Sequence, residues 1–388
     1  MPLSDEEYDD YVLIIWISEA CDDLISCERV DQSGIVNSSL SMKVFIALMG
    51  GKPIDYERIP NMDATCVNKP ELYNGMIPVY YEDGNWKIAD STNSNESMVW
   101  YDYDDSKWAN AVFVNTDEYA ESDEGTIISQ EDILGYYVWI PRFKYKLWND
   151  GINITDSYNA YKNGIDIVFE SGINSSDTVK CGDSKCIYEK NKYLTHPAFA
   201  DNLRGFWISK YEISEGNKFI PNVESLKNES LDSYKNIISG LSTTYNLSDT
   251  VDSHIVTNLE WGAALYLSHS KYGVCSSDGC KDISANATYI SESNKQDTTT
   301  RNVYGVYDMA GATPEYAVGS FAVGTAIEEV RITDSTTWYN GNYLAINNDY
   351  ILRGGMERGL FFTSDIGMYD VSTRSVLVSK EKEDLVVG

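Results

Sequence analysis

Histidine is scarce in this chain, with only His196, His254 and His269 among 388 residues, which leaves little material for the histidine cluster of a non-haem iron site. Basic residues are also few: 30 Lys and Arg stand against 60 Asp and Glu, for a formal charge of −30. Such a surface repels phosphate backbones and anionic lipid, so nucleic acid is not an expected partner, and solubility is the plain reading of the acidity. Long apolar runs are missing as well. Tyr11 to Ile17 and Val44 to Met49 fall far short of the roughly 20 residues that a membrane span requires, so membrane insertion is not expected. The opening Ser4-Asp-Glu-Glu-Tyr-Asp-Asp10 is the opposite of a basic leader. An extracytoplasmic chain of this kind is expected to be exported by other means, to have lost a leader, or to travel with a virion. Neither a phosphate-cradling or dinucleotide-binding glycine pattern nor a Gly-x-Ser-x-Gly elbow or a Cys/His nucleophile pair occurs.

What is present begins with seven cysteines. Cys181-Gly-Asp-Ser-Lys-Cys186 and Cys275-Ser-Ser-Asp-Gly-Cys280 each bracket four small, turn-forming residues, which brings the two ends within disulfide range. We expect two local disulfides, Cys181 with Cys186 and Cys275 with Cys280, and with them an oxidising, extracytoplasmic setting. One zinc site built from both pairs is the alternative. Cys21, Cys27 and Cys66 leave an odd thiol.

Tyrosine is abundant, at 29 residues, and Pro and Gly are scattered, so no flexible linker announces a boundary. Texture changes near Asn61 to Leu72, which sets apart a small N-terminal unit of residues 1–70, for assembly or anchoring. A β-rich lead-in over 71–134 follows, then a domain over 135–380 and a charged tail over 381–388. Met76 to Tyr81, a turn over Glu82 to Asn85 and Trp86 to Ile88 read as a hairpin. The strict alternation of Arg142 to Leu147 predicts a strand with one wet and one buried face. Asp166 to Glu170 and Phe206 to Ile213 are further strands. Thr257-Asn-Leu-Glu260 has capping-box spacing and opens a helix running to about Tyr272. Ser230 to Leu241 places Leu231, Tyr234, Ile237, Ile238 and Leu241 at helical intervals. Many strands with two helices make an α+β plan, with the helix near Thr257 packed on a twisted antiparallel sheet.

Several segments, in order, resemble the landmarks of the formylglycine-generating/sulfatase-modifying family, a variant of the C-type-lectin fold. They are Arg204-Gly-Phe-Trp-Ile-Ser-Lys-Tyr-Glu-Ile-Ser214, Val256 to Leu267 with its Trp261, Asn302-Val-Tyr-Gly-Val-Tyr-Asp-Met-Ala-Gly311 with Glu315-Tyr316, Ile351-Leu-Arg-Gly-Gly355, and Arg374-Ser-Val-Leu377. The chain departs from the family at Ala312-Thr-Pro-Glu-Tyr316, where Pro314 cannot donate a ladder hydrogen bond and the backbone must differ. Variable proteins of diversity-generating retroelements are similar in the same landmarks, and in them the interval between the Arg-Gly-Gly strand and the last strand faces the ligand.

Carried onto this chain, the resemblance implies a binding surface over about 356–373, with Met356, Glu357, Arg358, Thr363, Ser364, Asp365, Met368, Tyr369 and Asp370 as contacts. Leu360 and Phe362 face inward as anchors, and Arg353-Gly-Gly355 and Arg374 to Leu377 pair to fix both ends. These contacts are the polar and aromatic types that paratopes favour. Oxidase chemistry of the formylglycine-generating kind needs a cysteine immediately after the Arg of the last strand; here Ser375 follows Arg374, and no cysteine lies beyond Cys280. The expectation is therefore a non-enzymatic ligand-binding or display protein of a cell or virion surface, taking a protein or glycan ligand. A structural tail or envelope component without a specific ligand is the alternative. No cofactor is required on this reading. Trp148-Asn149-Asp150 copies the sugar-binding tripeptide of classical C-type lectins but reads as a strand-ending turn, and the acidic composition leaves room for a structural calcium elsewhere.

Overall fold

The computed structural model describes residues 62–147, 164–173, 180–181, 186–187, 193–199, 203–227, 229–281, 298–309, 311–318, 344–345, 350–355 and 371–379. The strands are β1 (Ile77–Glu82), β2 (Asn85–Ile88), β3 (Asn110–Val114), β4 (Ile133–Pro141), β5 (Phe143–Leu147), β6 (Ile165–Phe169), β7 (Lys180–Cys181), β8 (Cys186–Ile187) and β9 (Leu194–Thr195). They continue with β10 (Gly205–Ser209), β11 (Val251–Ile255), β12 (Cys275–Ser276), β13 (Gly279–Cys280), β14 (Gly311–Val318), β15 (Leu344–Ala345), β16 (Tyr350–Gly355), β17 (Ser372–Thr373) and β18 (Ser375–Ser379). Two α-helices accompany them among the described residues, α1 (Leu231–Thr244) and α2 (Asn258–Ser268). The class is α+β, as the sequence predicts.

A seven-stranded antiparallel sheet in the order β11-β18-β10-β4-β3-β1-β2 forms the centre. Strands from the expected lead-in, β1 to β3, thus share one sheet with strands from the expected domain. The hairpin forms as predicted, closed by Asp83 and Gly84, both at positive φ (51° and 82°). Two central left-handed residues define the turn whose twist matches flanking strands. Ala111 and Phe113 of β3 enter one apolar cluster and Val112 the other, so the inner strands are covered on both faces and read as continuous apolar runs rather than alternating ones.

Side-chain caps start both helices. Ser230 accepts from the Ser233 N–H at α1, and Thr257 and Glu260 form the reciprocal capping box at α2. Tyr234, Ile238 and Leu241 of α1 are buried, and the helix lies against β11. Helix α2 packs on β4, β6 and β14. It ends at Ser268 rather than near Tyr272, because the chain turns sharply there: the Val274 N–H donates to Ser268 O at 2.7 Å, and a Cβ on Gly273 would fall 2.1 Å from that oxygen.

Alternation in β5 is incomplete. Phe143 and Tyr145 are core, but Lys144 is buried too, its ammonium 5.7 Å from the centre of the Tyr193 ring. Arg142 is fully buried and ion-paired to Glu170 at 3.0 Å, with its guanidinium also donating to Phe199 O and Leu203 O. Only Lys146, paired with the half-exposed Asp166 at 3.8 Å, keeps the wet character expected of this face.

A smaller sheet, β15-β16-β14-β17, carries the segments next to the expected binding interval. Strand β16 runs antiparallel to β14, and β17 runs parallel to it on the other side. A register shift between Gly311 and Pro314 marks the place where the proline interrupts the ladder. The pairing expected between the Arg353-Gly-Gly355 strand and the Arg374 to Leu377 strand needs correction. Strand β18 pairs with β10 and β11 in the central sheet, and β14 separates β16 from β17. Extended backbone on both sides of the Arg374 corner lets the chain leave one sheet and enter the other within two residues.

Candidate functional site

The nine contacts expected from the resemblance, Met356, Glu357, Arg358, Thr363, Ser364, Asp365, Met368, Tyr369 and Asp370, lie outside the described residues, as do Leu360, Phe362 and Trp148-Asn149-Asp150. Described instead are the two ends of that interval. Gly355 pairs with Gly311 at the start of β14, and Ser372 pairs with Glu315 farther along the same strand. The two described ends of the interval thus lie on opposite flanks of β14, each held by a backbone ladder.

A buried charged cluster joins β14 to the corner between β17 and β18. Arg374, Glu315, Glu212 and Lys210 are each fully enclosed. The Arg374 Nε pairs with Glu315 Oε1, Nη1 donates to Ser209 O (3.3 Å) and Lys210 O (3.1 Å), and Nη2 donates to Tyr307 O (2.5 Å). Trp261 of α2 donates its indole N–H to the other Glu315 oxygen at 2.9 Å. One guanidinium thus joins β10, the 307 turn, β14 and β18, and the α2 indole closes the ring. These residues come from four of the segments that carry the family resemblance.

Glu212 lacks such a partner. Its Oε1 accepts a long bond from the Thr313 N–H at 3.3 Å, and the Ser225 side chain and the Arg374 charge offer it only partial compensation. Burial first, and the neighbouring Glu315 charge second, push this carboxyl well above its ordinary value, which favours its protonated form. Burial raises Glu315 too, opposed by Arg374 and by the Trp261 bond. Of the two, Glu315 holds the charge. Lys210 hydrogen-bonds Asn110 Oδ1 (2.7 Å) and Val303 O, with its ammonium 4.9 Å from the Trp86 ring centre and 5.5 Å from that of Tyr307. Such stacking lowers the cost of a desolvated cation. Sequence reasoning did not single out Lys210 and Glu212. Their signal was two charges at alternating positions in a stretch, Phe206 to Ile213, whose other residues are apolar or aromatic except Ser209.

This cluster is sealed from solvent, so its chemistry is that of a clamp: it fixes the corner from which the interval emerges. Ser375, where the family's oxidases need a thiol, is also fully buried, and its N–H donates to Ser209 Oγ at 3.2 Å.

A second charged group joins β11 to the start of α2. His254 Nδ1 lies 2.6 Å from Asp252 Oδ2, and Nε2 lies 3.0 Å from Glu260 Oε1. Burial opposes the imidazolium, but Glu260 and Asp252 outweigh it and raise the pKa to about 10. Held as a cation, His254 is no general base at neutral pH. His196 is the reverse case: it is buried against Phe143, Tyr145, Phe199 and Tyr266, accepts from the Ala198 N–H, and burial lowers it to about 3. His269 is the C-cap of α2 and is completely buried.

Cys275 and Cys280 form the expected disulfide, 2.04 Å between sulfurs, across the β12–β13 hairpin. The backbone sets Cys181 opposite Cys186 between β7 and β8 in the same way, but their side chains lie outside the described residues. Cys66 is itself disulfide-bonded. Asp90 accepts five bonds from Thr92, Ser94 and Asn95 of its own loop, which commits its carboxylate to shaping that loop. No family model and no curated protein matches the chain.

Proposed function

We propose that the chain is a ligand-binding display protein of the C-type-lectin-like type, working outside the cytoplasm on a cell or virion surface and without catalysis. Its binding surface is the 356–373 interval. One observation supports this reading: both ends of the interval are laddered onto β14, from opposite flanks, and the Arg374–Glu315 pair ties β14 to the chain just after the interval. A crossing fixed at both ends tolerates varied side chains between them, because its closure does not depend on their identity. Tyr369 brings contact area at low entropic cost, and Arg358 and Glu357 bring charge-assisted hydrogen bonds.

The test uses the full chain on glycan arrays and on intact cells. Tyr369→Ala or Arg358→Ala is expected to weaken binding by more than about 1 kcal/mol, roughly fivefold, with the melting temperature unchanged. Variants that unfold, or that bind as tightly as the parent, refute the assignment. Diversification of the interval makes a separate genetic prediction. A reverse transcriptase and an imperfect repeat of the segment coding for residues 350–380 should lie in the adjacent DNA.

A further inference from the structure

Among the described residues, the side-chain atoms of His, Cys, Asp and Glu that converge as a set of metal ligands are those of His269, Cys275 and Cys280, all within 4.8 Å of one another. Their surroundings are ordered by backbone rather than by the disulfide itself. The Cys275 N–H donates to Ser270 O (3.1 Å), Val274 to Ser268 O (2.7 Å), Lys281 to Val274 O (3.0 Å), and Ile165 to His269 O (2.6 Å). Trp108 and Ser106 pin the same turn by donating to Tyr272 O and Gly273 O. Gly164, at φ +67°, presses its backbone onto the group: a Cβ there would lie 2.9 Å from Cys275 Sγ, 3.1 Å from Cys280 Sγ and 3.1 Å from His269 O. Opening the S–S bond would therefore leave both sulfurs and the imidazole held at one spot.

We propose that this disulfide is the oxidised state of a zinc site, and that reduction creates a Cys275–Cys280–His269 centre. A dithiol reductant gives up two electrons and two protons and closes to its own disulfide. The Cys275–Cys280 bond breaks, and each Sγ gains a hydrogen. Zinc then displaces both thiol protons and takes the imidazole as third ligand, with water in the fourth position. A tetrahedral site with Zn–S bonds of about 2.3 Å needs the sulfurs about 3.8 Å apart, a change within reach of side-chain rotation in a hairpin whose ladder stays intact. Two thiolates and an imidazole suit zinc, and the four-residue spacing of the cysteines falls within the range of known zinc loops. The site differs from one built on both cysteine pairs, because its third ligand is His269 and it needs neither Cys181 nor Cys186. It is independent of the proposed binding function.

The experiment takes the full chain in a Cys181→Ser/Cys186→Ser background, reduced with a phosphine, freed of reductant under argon and titrated with zinc chloride against a chromophoric chelator. One high-affinity zinc is expected in the reduced protein and none in the oxidised one. X-ray absorption should find two sulfurs and one imidazole. Adding Cys275→Ser/Cys280→Ser should abolish uptake, and His269→Gln should weaken it at least tenfold. No uptake after reduction, uptake that survives the Cys275/Cys280 substitutions, or a zinc shell without imidazole overturns the proposal. Should His269→Gln fail to fold by circular dichroism, the imidazole signal in the unsubstituted His269 protein decides.

Discussion

Glu212 and Glu315 are chemically identical and lie in one buried cluster, yet their amides should behave in opposite ways. Glu315 is the charged partner of Arg374, so Glu315→Gln leaves a fully buried guanidinium with three backbone carbonyls but no counter-charge. Removing one member of a buried pair costs about 3–5 kcal/mol, and the retained Trp261 bond holds the estimate to the lower half of that range. Burial favours the protonated form of Glu212, and glutamine reproduces that neutral acid in size and polarity, so Glu212→Gln should change stability by less than about 1 kcal/mol at pH 5. The pH dependence gives the sign. A carboxyl whose folded pKa is raised holds its proton more tightly folded than unfolded, so it weakens the fold as pH climbs past the unfolded value of 4.5. Glutamine has no such penalty, and the Glu212→Gln variant should gain on the parent between pH 5 and pH 8. Urea unfolding followed by tryptophan fluorescence, at fixed pH values across that range, measures both. Equal losses from the two substitutions, or a Glu212→Gln variant that falls behind the parent as pH rises, would falsify the assignment of the proton to Glu212.

Three further outcomes are expected. His254, raised to about 10, should stabilise the β11–α2 joint below pH 6.5 by roughly 3 kcal/mol, the ~5 kcal/mol of the shift reduced by solvent screening at the half-exposed Asp252, and lose that contribution as pH climbs to 10; His254→Gln should show its full deficit at pH 6 and little at pH 10, with the imidazole titration followed by NMR. Cys275→Ser/Cys280→Ser should cost about 2 kcal/mol, the loop-closure term for so short a loop, and an equal melting temperature with and without reductant in the parent would contradict it. Gly205→Ala drives a Cβ to 2.5 Å from the Trp139 ring and 2.6 Å from Ile140 O; because one obstacle is backbone, a loss of about 2–3 kcal/mol is expected, and a neutral alanine would show that the β4–β10 contact is looser than described.

Local chemistry was legible in the sequence wherever neighbours along the chain decide it. Asp83-Gly84 between apolar runs specified the hairpin, Thr257 and Glu260 the capping box, Ser230 and the 3.6-residue spacing the first helix, and Cys275-x4-Cys280 the disulfide. The α+β class followed from counting such elements. Pro314 announced the break in the β14 ladder, since a missing donor is a property of one residue. Pairings between distant segments were not legible. The Arg353 and Arg374 strands both read as extended and adjacent, but hydrogen-bond ladders are chosen by three-dimensional competition among edges, and β14 took the position between them. Charge state was hidden for the same reason. Nothing in the letters separates Glu212 from Glu315, or His196 at about 3 from His254 at about 10. Burial and the identity of the neighbour across the fold set those values, because desolvation penalises a charge that only a spatial partner can offset.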